Sequence, residues 1–434
     1  MTRMSPTRRS VLAVASALPL AAPAAMAQGR VDAGLPTSAQ LQTDLARYDA
    51  LGDKAAGGEG DAAVGAWLEG ELRRLGFSTS RQMFRTPFFT AERAELTAGG
   101  ARATVLPQGI VIPTPPQGVE GRLTVSGERE VARGDIALIV LPYARWSAAR
   151  NAAVRVPVTE ALAAGAQAAV VVTTGPTGEA IALNAPYERP LFDKPVAVLA
   201  PSEAAPFLAA ARAGGRARLV LSGTSGLRPA YNLIGEKRGG SRDGLVVSTP
   251  RSGWFKCTGE RGPGIAAWLS LARWLGAGRP ARDLTFLATS GHEYDNQGGV
   301  LYLAERAPKP EATRLWAHLG ANVATRDWHE TAAGLLPLPS ADPQRFLVGT
   351  ANTLPVLERT FAGLPGLARP YPSEGGAEGE LKHVLESGYR RAFGVFGGHR
   401  RHHARTDDLR STSGELVLPA ALAFRSAIAQ LVRP

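Results

Sequence analysis

Leu284-Thr285-Phe286-Leu287-Ala288-Thr289-Ser290-Gly291-His292-Glu293-Tyr294-Asp295-Asn296-Gln297-Gly298-Gly299 is the stretch on which the reading of this 434-residue chain turns. Its apolar opening suits a buried strand, the small residues after Ala288 end that strand, and a helix is expected after Gly299. Adjacent His and Glu at a strand-to-helix junction are a proton carrier and a metal ligand side by side. A helix cap with a first-turn acid would account for two of these residues. Tyr294 and Asp295 are more than a cap needs.

Working outward, strands and helices alternate from Tyr231 onward. Leu245-Val246-Val247-Ser248 is followed by a helix over 265–275, and further strands are expected at 284–288, 315–323 and 392–396. This pattern predicts an α/β fold, a mixed sheet covered by helices on both faces. Sites in such folds lie beyond the carboxyl ends of the strands, here just after Val247, Ala288, Leu319 and Phe396. Upstream, Val64, Trp67, Leu68, Leu72 and Leu75 recur at helical spacing and Gly76 stops the helix. Between 99 and 226 the texture changes to short β-rich runs broken by Pro and Gly, with a helix over 158–166 leading into Ala168-Ala169-Val170-Val171-Val172. That segment reads as a smaller inserted β-rich α/β lid domain. It divides the main domain into 28–98 and 227–434.

Residues 1–27 read as a twin-arginine export signal: Arg8-Arg9, a short apolar run broken by Pro19 and Pro23, then Ala25-Met26-Ala27 as a cleavage site. The run is too short to span a bilayer, and no later segment is long enough, so a periplasmic or secreted protein without stable membrane insertion is expected. The single cysteine, Cys257, forms no internal disulfide, and packing rather than nucleophilic chemistry is expected of it. Lys and Arg exceed Asp and Glu to give a net charge of +11, but the surplus is spread along the chain. That argues against a nucleic-acid partner, which wants a concentrated basic stripe.

The His292–Gly299 junction resembles that of the zinc aminopeptidase and glutamate carboxypeptidase superfamily, where a strand ends in Glu-Glu before a glycine-containing turn and a helix. Four other places resemble the same family: the helix near 61–75, Tyr231-Asn232-Leu233-Ile234-Gly235, the 99–226 insertion (similar to a protease-associated domain), and His403-Ala404-Arg405-Thr406-Asp407. The resemblance implies a hydrolase of peptide, amide or related bonds with a two-zinc site.

Carried over position by position, that site is rewritten. Pro250, in Thr249-Pro250-Arg251-Ser252, stands at the first ligand position, and Gly320 stands where a late aspartate belongs. One metal is thereby lost. For the other, the resemblance leaves Glu260, Glu293 and His403 as tentative ligands, so at most one zinc is implied. His292 falls at the general-base position, with Glu293 and Glu260 beside it in the catalytic set. Arg251, Arg261, Trp254, Tyr294 and Glu380 are the expected substrate-binding residues. Two alternatives stay open. Arg251 or Arg261 replaces the metal charge in a metal-free binding protein or pseudoenzyme. Otherwise, two carboxylates among Glu260, Glu293 and Glu380 act on a glycan, with Trp254 and Tyr294 as sugar platforms.

Overall fold

The structure, a computed structural model, describes residues 34–433, so the expected export signal at 1–27 lies outside the described residues. Among the described residues no helix is long and apolar enough to cross a membrane.

The strands Ser241–Pro250, Arg282–Thr289, Thr313–Leu319 and Ala392–Gly397 lie side by side and parallel. Arg216–Lys237 joins one side antiparallel and Arg345–Gly349 the other, making the sheet mixed. Alternation along each strand explains why both faces are covered. Leu245, Val247, Phe286, Ala317, Leu319, Phe393 and Val395 point into one core, whereas Val246, Leu287, Trp316 and Ala392 point into another. The helices Ser38–Ala50, Glu59–Arg74, Thr258–Leu275 and Gly414–Leu431 cover the first face. Gln297–Glu305 and Glu380–Glu386 cover the second through Tyr302 and Val384. Trp268 anchors the first face: it is fully buried, meets Phe286 edge-on at 5.2 Å and donates its indole N–H to Val247 O at 3.0 Å. Its truncation to Ala would cost about 3–5 kcal/mol.

Two long strands, Ser78–Ala98 and Arg216–Lys237, pair antiparallel from Ser78↔Glu236 to Ala98↔Ala217 and carry the sheet outward. There Val119–Val125, Ile136–Val140, Ala168–Val172 and Val196–Leu199 extend it. This part packs cores of its own, around Leu123, Leu138, Val170 and Phe207 on one face and Ile139, Val158 and Val171 on the other. Its helix is Ala152–Ala163 rather than 158–166, because Asn151 accepts a hydrogen bond from Ala153 N at 3.0 Å and sets the start earlier.

The largest difference from the sequence reading is the helix Thr258–Leu275, which begins seven residues before the expected 265. Gly259, Gly262, Pro263 and Gly264 look like breakers, yet each is accommodated. A Cβ on Gly259 would lie 2.4 Å from Asp407 Oδ1, so only glycine fits there. Pro263 has no N–H for Gly259 O, and the Thr325 hydroxyl donates to that carbonyl instead at 2.6 Å. This places Glu260 and Arg261 on the first turn of a buried helix rather than in a loop.

Candidate functional site

The four parallel strands end together, and the segments that leave their carboxyl ends converge. Arg251 and Ser252 come after the first strand, His292 and Glu293 after the second, Gly320 after the third, and the segment 399–407 after the fourth. Asp407 ties this assembly together. Its carboxylate accepts from Gly259 N at 2.9 Å and Glu260 N at 3.0 Å, capping the helix from 148 residues away. Among the described residues, the non-glycine residues with positive φ are Phe255, Cys257, Asp295, Asn296, Asn322 and His403, all in these loops. Backbone strain of this kind is retained where surrounding contacts fix it.

Glu260 and Arg261 are both fully buried, and Arg261 Nη2 lies 2.6 Å from Glu260 Oε1. The guanidinium is fixed from behind by donation of its Nε to Ser252 O at 3.1 Å. His403 Nε2 lies 3.5 Å and His402 Nδ1 4.0 Å from the same Glu260 oxygen. Burial alone would raise the Glu260 pKa, but the Arg261 charge and the neighbouring histidines hold it well below the usual carboxylate range. His403 donates Nδ1–H to Ala182 O at 2.8 Å, which turns Nε2 toward Glu260. The two histidine rings stack at 3.9 Å with planes 21° apart.

His292 takes a different partner. Its Nδ1 lies 3.7 Å from Glu380 Oε1, and Glu380 is held by the Thr289 hydroxyl at 2.6 Å. Burial first, then the positive charge of Arg261, lowers the His292 pKa, so the imidazole is neutral at pH 7. His292, His402 and Gly320 face a cavity of about 570 Å³ whose wall includes Asn184, Arg145 and Lys382. Trp316 donates to the Ser248 hydroxyl at 2.8 Å, and that hydroxyl is hydrogen-bonded to His318 Nδ1 at 2.9 Å. Burial brings His318 down to about 4.

The remaining expected site residues lie elsewhere. Glu293 accepts from Ala56 N at 2.6 Å and from the Ser252 hydroxyl at 2.8 Å, and burial pushes its carboxyl up to about 7. It does not join Glu260 and His403; His402 does, among the described residues. Arg251 is not a substrate contact, because it is fully buried and spent on Asp61 at 2.9 Å, on Ala288 O and Tyr231 O, and against the Tyr231 ring. Trp254 donates to Asn184 Oδ1 at 2.9 Å and packs against buried Tyr294, so these rings pin the 99–226 segment to the sheet instead of lining the cavity. The basic run after His399 is tied up in contacts within the chain: Arg400 pairs with Asp327 and Glu330, Arg401 covers Trp328, and exposed Arg405 covers Phe255. Cys257 is buried beside the Tyr48 hydroxyl at 3.2 Å, and burial pushes its thiol well up. Sequence reasoning missed Ser252, Asp61 and the pairing role of His402, none of which has a local motif.

No protein-family model and no curated protein matches this chain. Solved structures do. The zinc aminopeptidase BSAP from Bacillus subtilis superposes with a TM-score of 0.71 at 17% identity, over 91% of this chain and 95% of that one. A peptidase M28 precursor from Shewanella amazonensis SB2B gives 0.70 at 17% identity, over 93% and 95%. An aminopeptidase from Aneurinibacillus sp. strain AM-1 gives 0.66 at 16% identity, over 92% and 94%. This chain has the zinc-aminopeptidase fold.

Whether an aminopeptidase-like fold with these residues suits zinc is a question of donors and charge. Glu260, His402 and His403 form one buried group of three donors within 4.8 Å of one another. His403, oriented by a backbone carbonyl, is what a zinc ligand looks like. Two features oppose the fit. Stacked imidazoles have parallel lone pairs, which do not converge on one ion. An ion about 2.2 Å from Glu260 Oε1 would also lie within about 5 Å of Arg261 Nη2, a repulsion of about 7 kcal/mol at an effective dielectric of 20. As arranged, these residues do not fit zinc.

The ends of the first and third parallel strands are closed to further ligand side chains by backbone. A Cβ at Gly320 would lie 2.4 Å from Val395 O, leaving no room for an aspartate. Pro250 sits in the ladder opposite Thr289 and offers no donor atom.

Proposed function

We propose that this protein is an exported hydrolase of a peptide, amide or related bond, in which His292 takes the proton from the attacking water. The observation that carries this reading is the His292–Glu380 couple: a neutral imidazole facing a sizeable cavity at the strand ends, with a buried carboxylate 3.7 Å behind it. A neutral imidazole can accept a proton, and the carboxylate stabilises the imidazolium that forms before the proton passes to the leaving amine. The mature chain works in the periplasm or outside the cell, on a small molecule or peptide. The 99–226 segment serves as a protease-associated-like lid, since Ala182 and Asn184 bond to His403 and Trp254, and Ala185 N donates to Glu293 O at 3.0 Å.

A panel of peptides, aminoacyl amides and acyl amides tests the reading, with His292→Ala expected to lower kcat/KM by about 10²–10⁴-fold. Turnover of nothing on the panel, or turnover indifferent to His292→Ala, rejects it. A binding protein is the second reading, favoured by the mutual neutralisation of Glu260 and Arg261. Saturable ligand binding without release of product would establish it.

A further inference from the structure

We propose that Arg261 is the permanent cation of this site: its guanidinium stands on Glu260 in place of a metal ion, so the pocket works without zinc and excludes it. What the charge serves rests on the hydrolase reading; which cation is present does not.

The geometry makes the guanidinium a fixture rather than a passing neighbour. Arg261 comes directly after Glu260 on the first turn of a helix whose start is locked by Asp407. Its Nε donates to Ser252 O at 3.1 Å and its Nη2 makes an ion pair with Glu260 Oε1 at 2.6 Å, with no solvent exposure. A delocalised, weakly hydrated guanidinium is the cation best suited to such a dry position, and it never loses its proton. The carboxylate that would bind metal is thereby neutralised, and Glu260 and His403 are left 3.5 Å apart, a spacing suited to two ligands of one ion. The electrostatic part of the exclusion therefore rests on one side chain. Removing it leaves Glu260 and His403 free to share one ion, while His402, stacked on His403, adds no ligand.

The test measures metal directly, on the full mature protein. Wild type dialysed against zinc and then buffer is expected to hold under about a tenth of an equivalent, with Tm unmoved by zinc or chelator. Arg261→Met is expected to bind zinc at a ratio approaching one, to raise its Tm when zinc is added, and to give visible absorption bands with cobalt(II). All three gains should vanish in Arg261→Met/His403→Ala. If Arg261→Met does not fold alone, refolding it with and without zinc decides, and zinc-dependent recovery supports the proposal. Stoichiometric zinc in wild type that is lost in His403→Ala overturns it, as does an Arg261→Met protein that takes up no metal under either condition. A zinc-free protein that hydrolyses nothing would remove the hydrolase reading and leave this one standing.

Discussion

The two halves of the site differ in what occupies them. On one side, Gly320 and Pro250 close the position with main chain: the space for a side chain is taken by Val395 O, and a proline stands in the ladder. On the other, Glu260 and His403 keep their donors facing one another, and the Arg261 guanidinium lies against the Glu260 carboxylate. Backbone closure is a property of the packed sheet, which no one substitution reverses. A side-chain cation can be removed by one.

Arg261→Met, which strikes the second half, has the largest expected effect. Leaving a buried carboxylate unpaired costs about 3–5 kcal/mol, read as a lower urea midpoint, part of which zinc should restore. A stability loss that zinc leaves untouched would erase the contrast between the halves. Next comes Glu293, now apart from Glu260. Its folded pKa of about 7 lies above the ordinary value of 4.5. The folded state therefore binds its proton more tightly, and this contribution is complete below pH 4.5 and lost as pH rises through 7. Glu293→Gln should gain on wild type by about 2–3 kcal/mol between pH 5 and pH 8. A pH-independent difference would mean that Glu293 is ionised in the fold. Gly320→Asp probes the closed half and should lose about 1–3 kcal/mol without acquiring metal. A well-folded Gly320→Asp that binds zinc would show both halves to be equally reversible. The smallest effect is expected of Trp254→Phe, which loses only the bond to Asn184. It should cost about 1 kcal/mol in global stability, with faster amide exchange around 182–185.

The sheet was legible because its strands are buried on both faces and read as unbroken apolar runs such as Leu245-Val246-Val247. For the same reason their carboxyl ends marked where the segments carrying His292, Gly320 and 399–407 converge. The start of the Thr258–Leu275 helix was not legible, since it depends on Asp407 and Thr325, remote partners that override a local sequence full of breakers. Glu260 and His403, named through the family resemblance, do come together in the fold, with His292 on the adjoining cavity. His402 could not, because successive side chains ordinarily diverge. The left-handed backbone at His403, with φ of 58°, accompanies the stacking of the two rings. Arg251 and Arg261 were equivalent in sequence, and only their buried partners separate the arginine that supports the core around Asp61 from the one paired with Glu260.

The Glu260–Arg261 pair also acts as a ratchet. Loss of the arginine alone strands a buried charge, and loss of the glutamate alone strands the opposite one. Zinc offers no relief while the guanidinium is in place. Under the proposal above, a change of either residue alone passes through a variant less stable than the pair, unless zinc is abundant when Arg261 is lost. Metal supply in the compartment where folding occurs, rather than demand for catalysis, would then decide whether the step is reversible.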